Sequence, residues 1–140
     1  MARRNLLIID GQGGKIGSQL ISLIRSRMEP DSFLITAVGT NSTATAAMLK
    51  AGADQAATGE NPVVVACRSA DVIIGPLGIV IADSLIGEVT ASMAAAVGRS
   101  PAVKILIPVN KCNHIVAGVP ELGTTFLLED VITKLTSLCK

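Results

Sequence analysis

Apolar runs of strand length alternate along this chain with stretches whose apolar residues return every three or four positions, so the pattern reads strand, helix, strand, helix. The first run is residues 5–10. Ile16, Leu20, Ile24 and Met28 then follow at four-residue steps and predict a helix over residues 14–27, ended by Glu29-Pro30-Asp31. Arg25 and Arg27 in its last turn suit the helix dipole. A second strand is expected at 33–38, a second helix at 43–51 stopping at Gly52, and a short third strand within 54–57. Asn61 is expected to cap a third helix with Pro62 at its first position, although Val63 to Val65 leave a strand open there. A fourth strand at 71–74, a helix at 90–97, a fifth strand at 103–109 and a last helix from Thr124 or Thr125 to about Leu138 complete the series. The inner face of that last helix reads Leu128, Val131, Ile132, Leu135 and Leu138. Residues 114–119 look like a sixth strand. Only four residues separate it from the fifth, too few for a crossover helix, so it is expected to pair antiparallel.

This order predicts one α/β domain over residues 1–140. It is a Rossmann-like three-layer sandwich with a mostly parallel sheet of about five strands plus a short antiparallel one. Composition narrows the function classes. The chain is 49% hydrophobic and only 16% charged, which excludes a disordered chain. A net charge of +1 gives no field for nucleic acid or a membrane surface, and with Phe33 and Phe126 as its only aromatics the chain has no stacking platform for single strands. Residues 72–82 form the longest uncharged run free of polar side chains. It is about half the length of a bilayer span and carries glycines and a proline, so it reads as buried sheet. The surplus apolar surface predicts a homo-oligomer. The small-residue helix at 90–97 is the candidate interface, or else packs tightly on its own sheet. Leu6 to Ile9 is too short for a signal-peptide core, and Cys67, Cys112 and Cys139 are widely spaced. The expected location is therefore cytoplasmic, with reduced thiols.

The candidate chemistry sits at Asp10-Gly11-Gln12-Gly13-Gly14-Lys15-Ile16-Gly17, where the first strand turns into the first helix. Glycines there let backbone N–H groups approach an anion, and the helix N-terminus adds partial positive charge. Ile16 stands where the third glycine of Gly-x-Gly-x-x-Gly would be. The spacing Gly11-x-x-Gly14-x-x-Gly17 is met and resembles the turn of extended short-chain dehydrogenases. A P-loop is excluded, because Ile16 and not Ser or Thr follows Lys15. Lys15 either touches a phosphate or is simply solvated. The end of the second strand carries Thr40, Asn41 and Ser42 and no acid for a NAD ribose, so these residues either hold a ribose or phosphate, with NADP as an option, or cap the next helix. Gly75, Pro76, Leu77 and Gly78, with Thr58-Gly59-Glu60-Asn61 and Pro108-Val109-Asn110-Lys111-Cys112, add further turns at the carboxyl ends of strands, the edge where open parallel sheets bind ligands. Glu29, Asp31, Asp54, Arg68, Asp71 and Arg99 collect at the opposite edge as ordinary solvated charges.

Catalysis has less support. The chain has no tyrosine, so the Tyr-x-x-x-Lys pair of short-chain dehydrogenases is absent and that resemblance stops at the turn. Asp10 reads as an acceptor of turn hydrogen bonds, or as a base or magnesium ligand. Cys112 beside Lys111 reads as a loop cysteine or a thiol nucleophile, and with His114 it supplies only two metal ligands. The expected function is binding of a small phosphate-bearing ligand, a nucleotide or dinucleotide, by a sensor or regulatory protein. An oxidoreductase or transferase completed across a subunit interface, through Asp10, Asn110, Lys111 and Cys112, and a structural subunit without ligand are the alternatives. A turn blocked by a side chain, or set away from any cavity, would collapse the case for ligand binding at bare amides.

Asp10-Gly11-Gln12-Gly13-Gly14, Gly39-Thr40-Asn41-Ser42, Ala51-Gly52-Ala53-Asp54, Thr58-Gly59-Glu60-Asn61, Asp71-Val72-Ile73-Ile74-Gly75-Pro76 and Asn110-Lys111-Cys112-Asn113 together resemble an uncharacterised bacterial family, domain of unknown function 3842. The resemblance runs nearly the whole length and implies a small bacterial cytoplasmic protein. It implies no activity, ligand or catalytic residue.

Overall fold

The computed structural model describes residues 3–109 and 113–139. Five parallel strands, β1 (Arg4–Asp10), β2 (Phe33–Gly39), β3 (Gln55–Thr58), β4 (Val72–Pro76) and β5 (Val103–Ile107), form one sheet in the order β3-β2-β1-β4-β5. This is the doubly wound order, in which the chain reverses direction across the sheet between β1 and β4. Five helices connect or follow the strands: α1 (Lys15–Arg27), α2 (Ser42–Ala51), α3 (Glu60–Ser69), α4 (Ala91–Arg99) and α5 (Thr124–Leu138).

Alternation along β1 explains the layers. Leu6 and Ile8 pack with α1, α2 and α5, whereas Leu7 and Ile9 pack with α3 and α4. All four are at most 2% exposed, because a central parallel strand is covered on both faces. Each such side chain contributes about 1.5–3 kcal/mol relative to an exposed one. On α1 the buried stripe is Gly17, Leu20, Ile21 and Ile24, with Ile16 and Met28 half-buried at its ends. Phe33 is buried in the core and Phe126 is 59% exposed.

Three expectations are corrected. Residues 114–119 form no strand among the described residues: they lie outside the sheet, Gly118 turns at φ 80°, and Ile115 is 93% exposed. The third helix is capped by Gly59, at φ 99°, and not by Asn61. Pro62 is its third residue, still within the first turn, where its missing N–H has no intrahelical acceptor to lose. Residues 63–65 are helical, not strand. Two of the amino-edge charges also do more than meet solvent. Asp71 Oδ2 accepts the Asn5 N–H at 2.7 Å, and Asp54 Oδ2 accepts the Ile35 N–H at 2.7 Å and pairs with Arg25 at 2.9 Å. They cap strand ends whose amides have no ladder partner.

Candidate anion site at the carboxyl edge of the sheet

β1 delivers Asp10 to the carboxyl edge, where its side chain organises the turn. Oδ1 accepts the Gly11 N–H at 2.8 Å and Oδ2 accepts the Gly17 N–H at 2.7 Å. Burial pushes this carboxyl upward. The N–H groups of Gly17 and Gly11 pull it down, the Glu88 charge raises it, and the net shift is above the usual carboxylate range. With both oxygens engaged and the residue 5% exposed, Asp10 is placed as the acceptor of the turn.

The glycines divide by role. A Cβ on Gly11 would lie 2.6 Å from Thr40 Oγ1, one on Gly14 2.7 Å from Ala44 Cα, and one on Gly17 2.5 Å from Met48 Sδ. The three glycines of the Gly-x-x-Gly-x-x-Gly spacing therefore let β1, α1 and α2 approach one another. Gly13, outside that spacing, has nothing within 4 Å of its would-be Cβ and faces open space.

The turn is closed by a side chain, which corrects the expectation of bare amides and is the outcome that counts against an open ligand site there. Glu88, from the loop between β4 and α4, brings Oε1 to within 2.9 Å of the Gln12 N–H, 2.5 Å of Thr40 Oγ1 and 2.8 Å of Asn41 Nδ2. Three donors from two loops converge on one carboxylate oxygen. Burial works to raise this carboxyl, but the bonds from Thr40, Gln12 and Asn41 outweigh it and hold it below the usual glutamate range. No local pattern pointed to Glu88, which lies far from the turn in an irregular segment. The one available hint was negative: Thr40 and Asn41 were donors with no acid beside them.

Asn41 does two jobs, accepting the Ala44 N–H at 2.9 Å as the cap of α2 and donating to Glu88 and to the Gln12 carbonyl. Ser42 is the exposed first residue of α2. Gly75, Pro76 and Gly78 are buried and Leu77 half-buried. A Cβ on Gly75 would sit 2.5 Å from the Ile9 carbonyl oxygen and one on Gly78 2.8 Å from Ser84 Oγ. Those two glycines thus bring β1 and the 81–89 loop close. Thr58 Oγ1 meets Thr45 Oγ1 at 2.7 Å, and Glu60 Oε1 accepts from Thr90 Oγ1 at 2.6 Å, tying α3 to α4.

On the other side of the turn Gln12, exposed Lys15 and Ile16 border a groove of about 730 Å³, closed by Pro108, Val109 and residues 120–124. Both α1 and α5 begin at this groove. The α1 N-terminus is already met by the Asp10 carboxylate through the Gly17 N–H, whereas α5 has neither a capping side chain nor an acid in its first turn and presents partial positive charge. A second hollow, about 470 Å³, lies on the α3 face between Leu34, Gln55 and Val65, and no titratable side chain lines it. Asn110, Lys111 and Cys112 lie outside the described residues. Among the described residues no three His, Cys, Asp or Glu are grouped to hold a metal, and no helix is long and apolar enough to cross a membrane. Cys67 is buried, which pushes its thiol up to about 11, against the partial lowering by Lys104.

No curated protein matches the chain. Among solved structures, a dodecameric FMN-dependent UbiX-like decarboxylase from Escherichia coli O157:H7 is similar at a TM-score of 0.44 and 14% identity, with 94% of each chain covered. The family model for a domain of unknown function, DUF3842, matches residues 5–140, and the chain belongs to that family.

Proposed function

We propose that the protein binds a phosphate-bearing small molecule, a nucleotide or dinucleotide, at the Gly11–Gly17 turn and acts as a sensor or regulatory binding protein. The observation that carries this reading is the cup formed by the Gln12 N–H, the Thr40 hydroxyl and the Asn41 amide, which converges on one anionic oxygen at the point where the sheet reverses direction. Preorganised donors of this kind suit an anion, and phosphate oxygens are hydrogen-bond acceptors of the same type. Gly13 leaves the neighbouring backbone open to a second oxygen, and the groove beyond it accommodates the rest of a ligand. The occupied cup narrows the reading: a ligand binds there by replacing Glu88.

The test is thermal melting of the wild type and of Glu88→Ala against NAD, NADP, ATP and coenzyme A, with mass spectrometry of small molecules released on denaturation. A ligand at a hundredfold excess over its Kd stabilises by about 2.7 kcal/mol. A shift with one compound class in either protein supports the reading. No shift in both, with no released molecule, overturns it and leaves an architectural turn.

A further inference from the structure

Residues 81–89 form a compact loop held by its own backbone. The Asp83 N–H donates to the Val89 carbonyl at 2.7 Å, Gly87 to Asp83 at 3.1 Å and Val89 to Ser84 at 3.2 Å. Leu85 and Val89 are buried at its base. Its backbone conformation is unusual. Asp83, Leu85 and Ile86 take φ of 65°, 56° and 56°, and Gly87 follows at 83°. Left-handed backbone is unfavourable for any residue with a Cβ and is an outlier for a β-branched one. Packing accounts for Leu85, which is 2% exposed in the core, but not for Ile86, which is 95% exposed. What the loop's path does achieve is the placement of Glu88 Oε1 against Gln12, Thr40 and Asn41, residues 76, 48 and 47 positions away.

We propose that Glu88 is a built-in competitor for the phosphate cup, so that an incoming phosphate displaces its carboxylate and releases the 81–89 loop as a lid. This rests on the phosphate-binding reading above and adds its regulation. Two anions cannot share one set of donors, because like charges a few ångströms apart repel. The lid is therefore closed when the cup holds Glu88 and open when it holds a phosphate oxygen. The strained backbone favours opening, and the three bonds to Glu88 oppose it together with the burial of Leu85 and Val89. Ligand affinity is then reduced by the fraction of molecules whose lid is open.

The test is calorimetric titration of wild type, Glu88→Gln and Glu88→Ala with inorganic pyrophosphate and with NADP, alongside hydrogen exchange of the wild type with and without the tighter probe. If the lid is closed in more than about nine molecules in ten, its removal raises affinity about tenfold or more. Tighter binding by both variants, with faster exchange at residues 84–88 when the wild type is loaded, is the expected result. Equal or weaker binding by the variants, or slower exchange in that loop, overturns the competitor role while leaving phosphate binding intact. Binding by none of the three proteins removes the phosphate reading itself, and the competitor with it.

Discussion

Gly14→Ala tests the architecture of the turn, with Gly13→Ala as its matched control. Gly14 sits at φ 73° as the N-terminal boundary residue of α1, and a Cβ there would lie 2.7 Å from Ala44 Cα and 2.9 Å from the Ala44 carbonyl oxygen. A residue with a Cβ in left-handed backbone costs about 1–2 kcal/mol. Overpacking against a backbone that can yield only by moving α2 costs about 1–3 kcal/mol more. The reduced freedom of the unfolded chain returns about 0.4–1 kcal/mol. The net expectation is a loss of about 2–4 kcal/mol. Gly13 has open space around its would-be Cβ and no positive φ, so Gly13→Ala should stay within about 0.5 kcal/mol of wild type. Urea unfolding followed by far-UV circular dichroism is the assay, because the chain has no tryptophan or tyrosine. With a slope of about 2 kcal/mol/M, the middle of the range for a small protein, Gly14→Ala lowers the midpoint by about 1–2 M. Equal midpoints for the two variants would refute the division between packing glycines and an open one.

Asp10→Ala strands the Gly11 and Gly17 N–H groups that the carboxylate now accepts, and each lost charged bond is worth about 1.5–3 kcal/mol. Relief of the buried charge offsets part of this, so urea unfolding should show a loss of about 2–4 kcal/mol. Glu88 has its folded pKa held below the ordinary value of 4.5, so its contribution is present above that value and is lost as the pH falls through the folded pKa. Stability curves of wild type and Glu88→Gln should therefore converge below about pH 4.5; a gap that widens there contradicts the assignment. Ile86→Gly relieves a left-handed β-branched residue that is 95% exposed, so thermal melting should show no loss and a gain of up to about 1 kcal/mol. A clear loss would mean that Ile86 makes a contact the exposed tip does not show.

The elements were legible where one physical signal dominated. Leu6 to Ile9 is apolar without a break because β1 is covered on both faces, and the four-residue step of α1 is its buried stripe. Strand β3 was readable as a short strand despite its exposed and half-exposed residues. Residues 114–119 misled because a mostly apolar run of strand length records composition only, and a strand also needs a hydrogen-bonded partner, which these residues do not take. The candidate site was half legible. The location at the carboxyl edge and the role of Asp10 follow from local sequence. The glycine roles were not separable, since spacing does not say whether α2 or open solvent faces a given Cα. Glu88 was invisible because its placement depends on a left-handed loop path that no propensity scale favours. A carboxylate that completes a site from such a distance is found only once the sheet order is known.

The most direct measurement is a titration of isotopically labelled protein with inorganic pyrophosphate, read as backbone amide shifts by NMR. Anion binding at the turn predicts that the largest saturating changes fall at Gln12–Ile16, Thr40, Asn41 and the loop ending at Glu88. Changes gathered elsewhere, such as the groove between α3 and α4 bordered by Arg68 and Arg99, or no saturable change at the turn in either the wild type or Glu88→Ala, would contradict it.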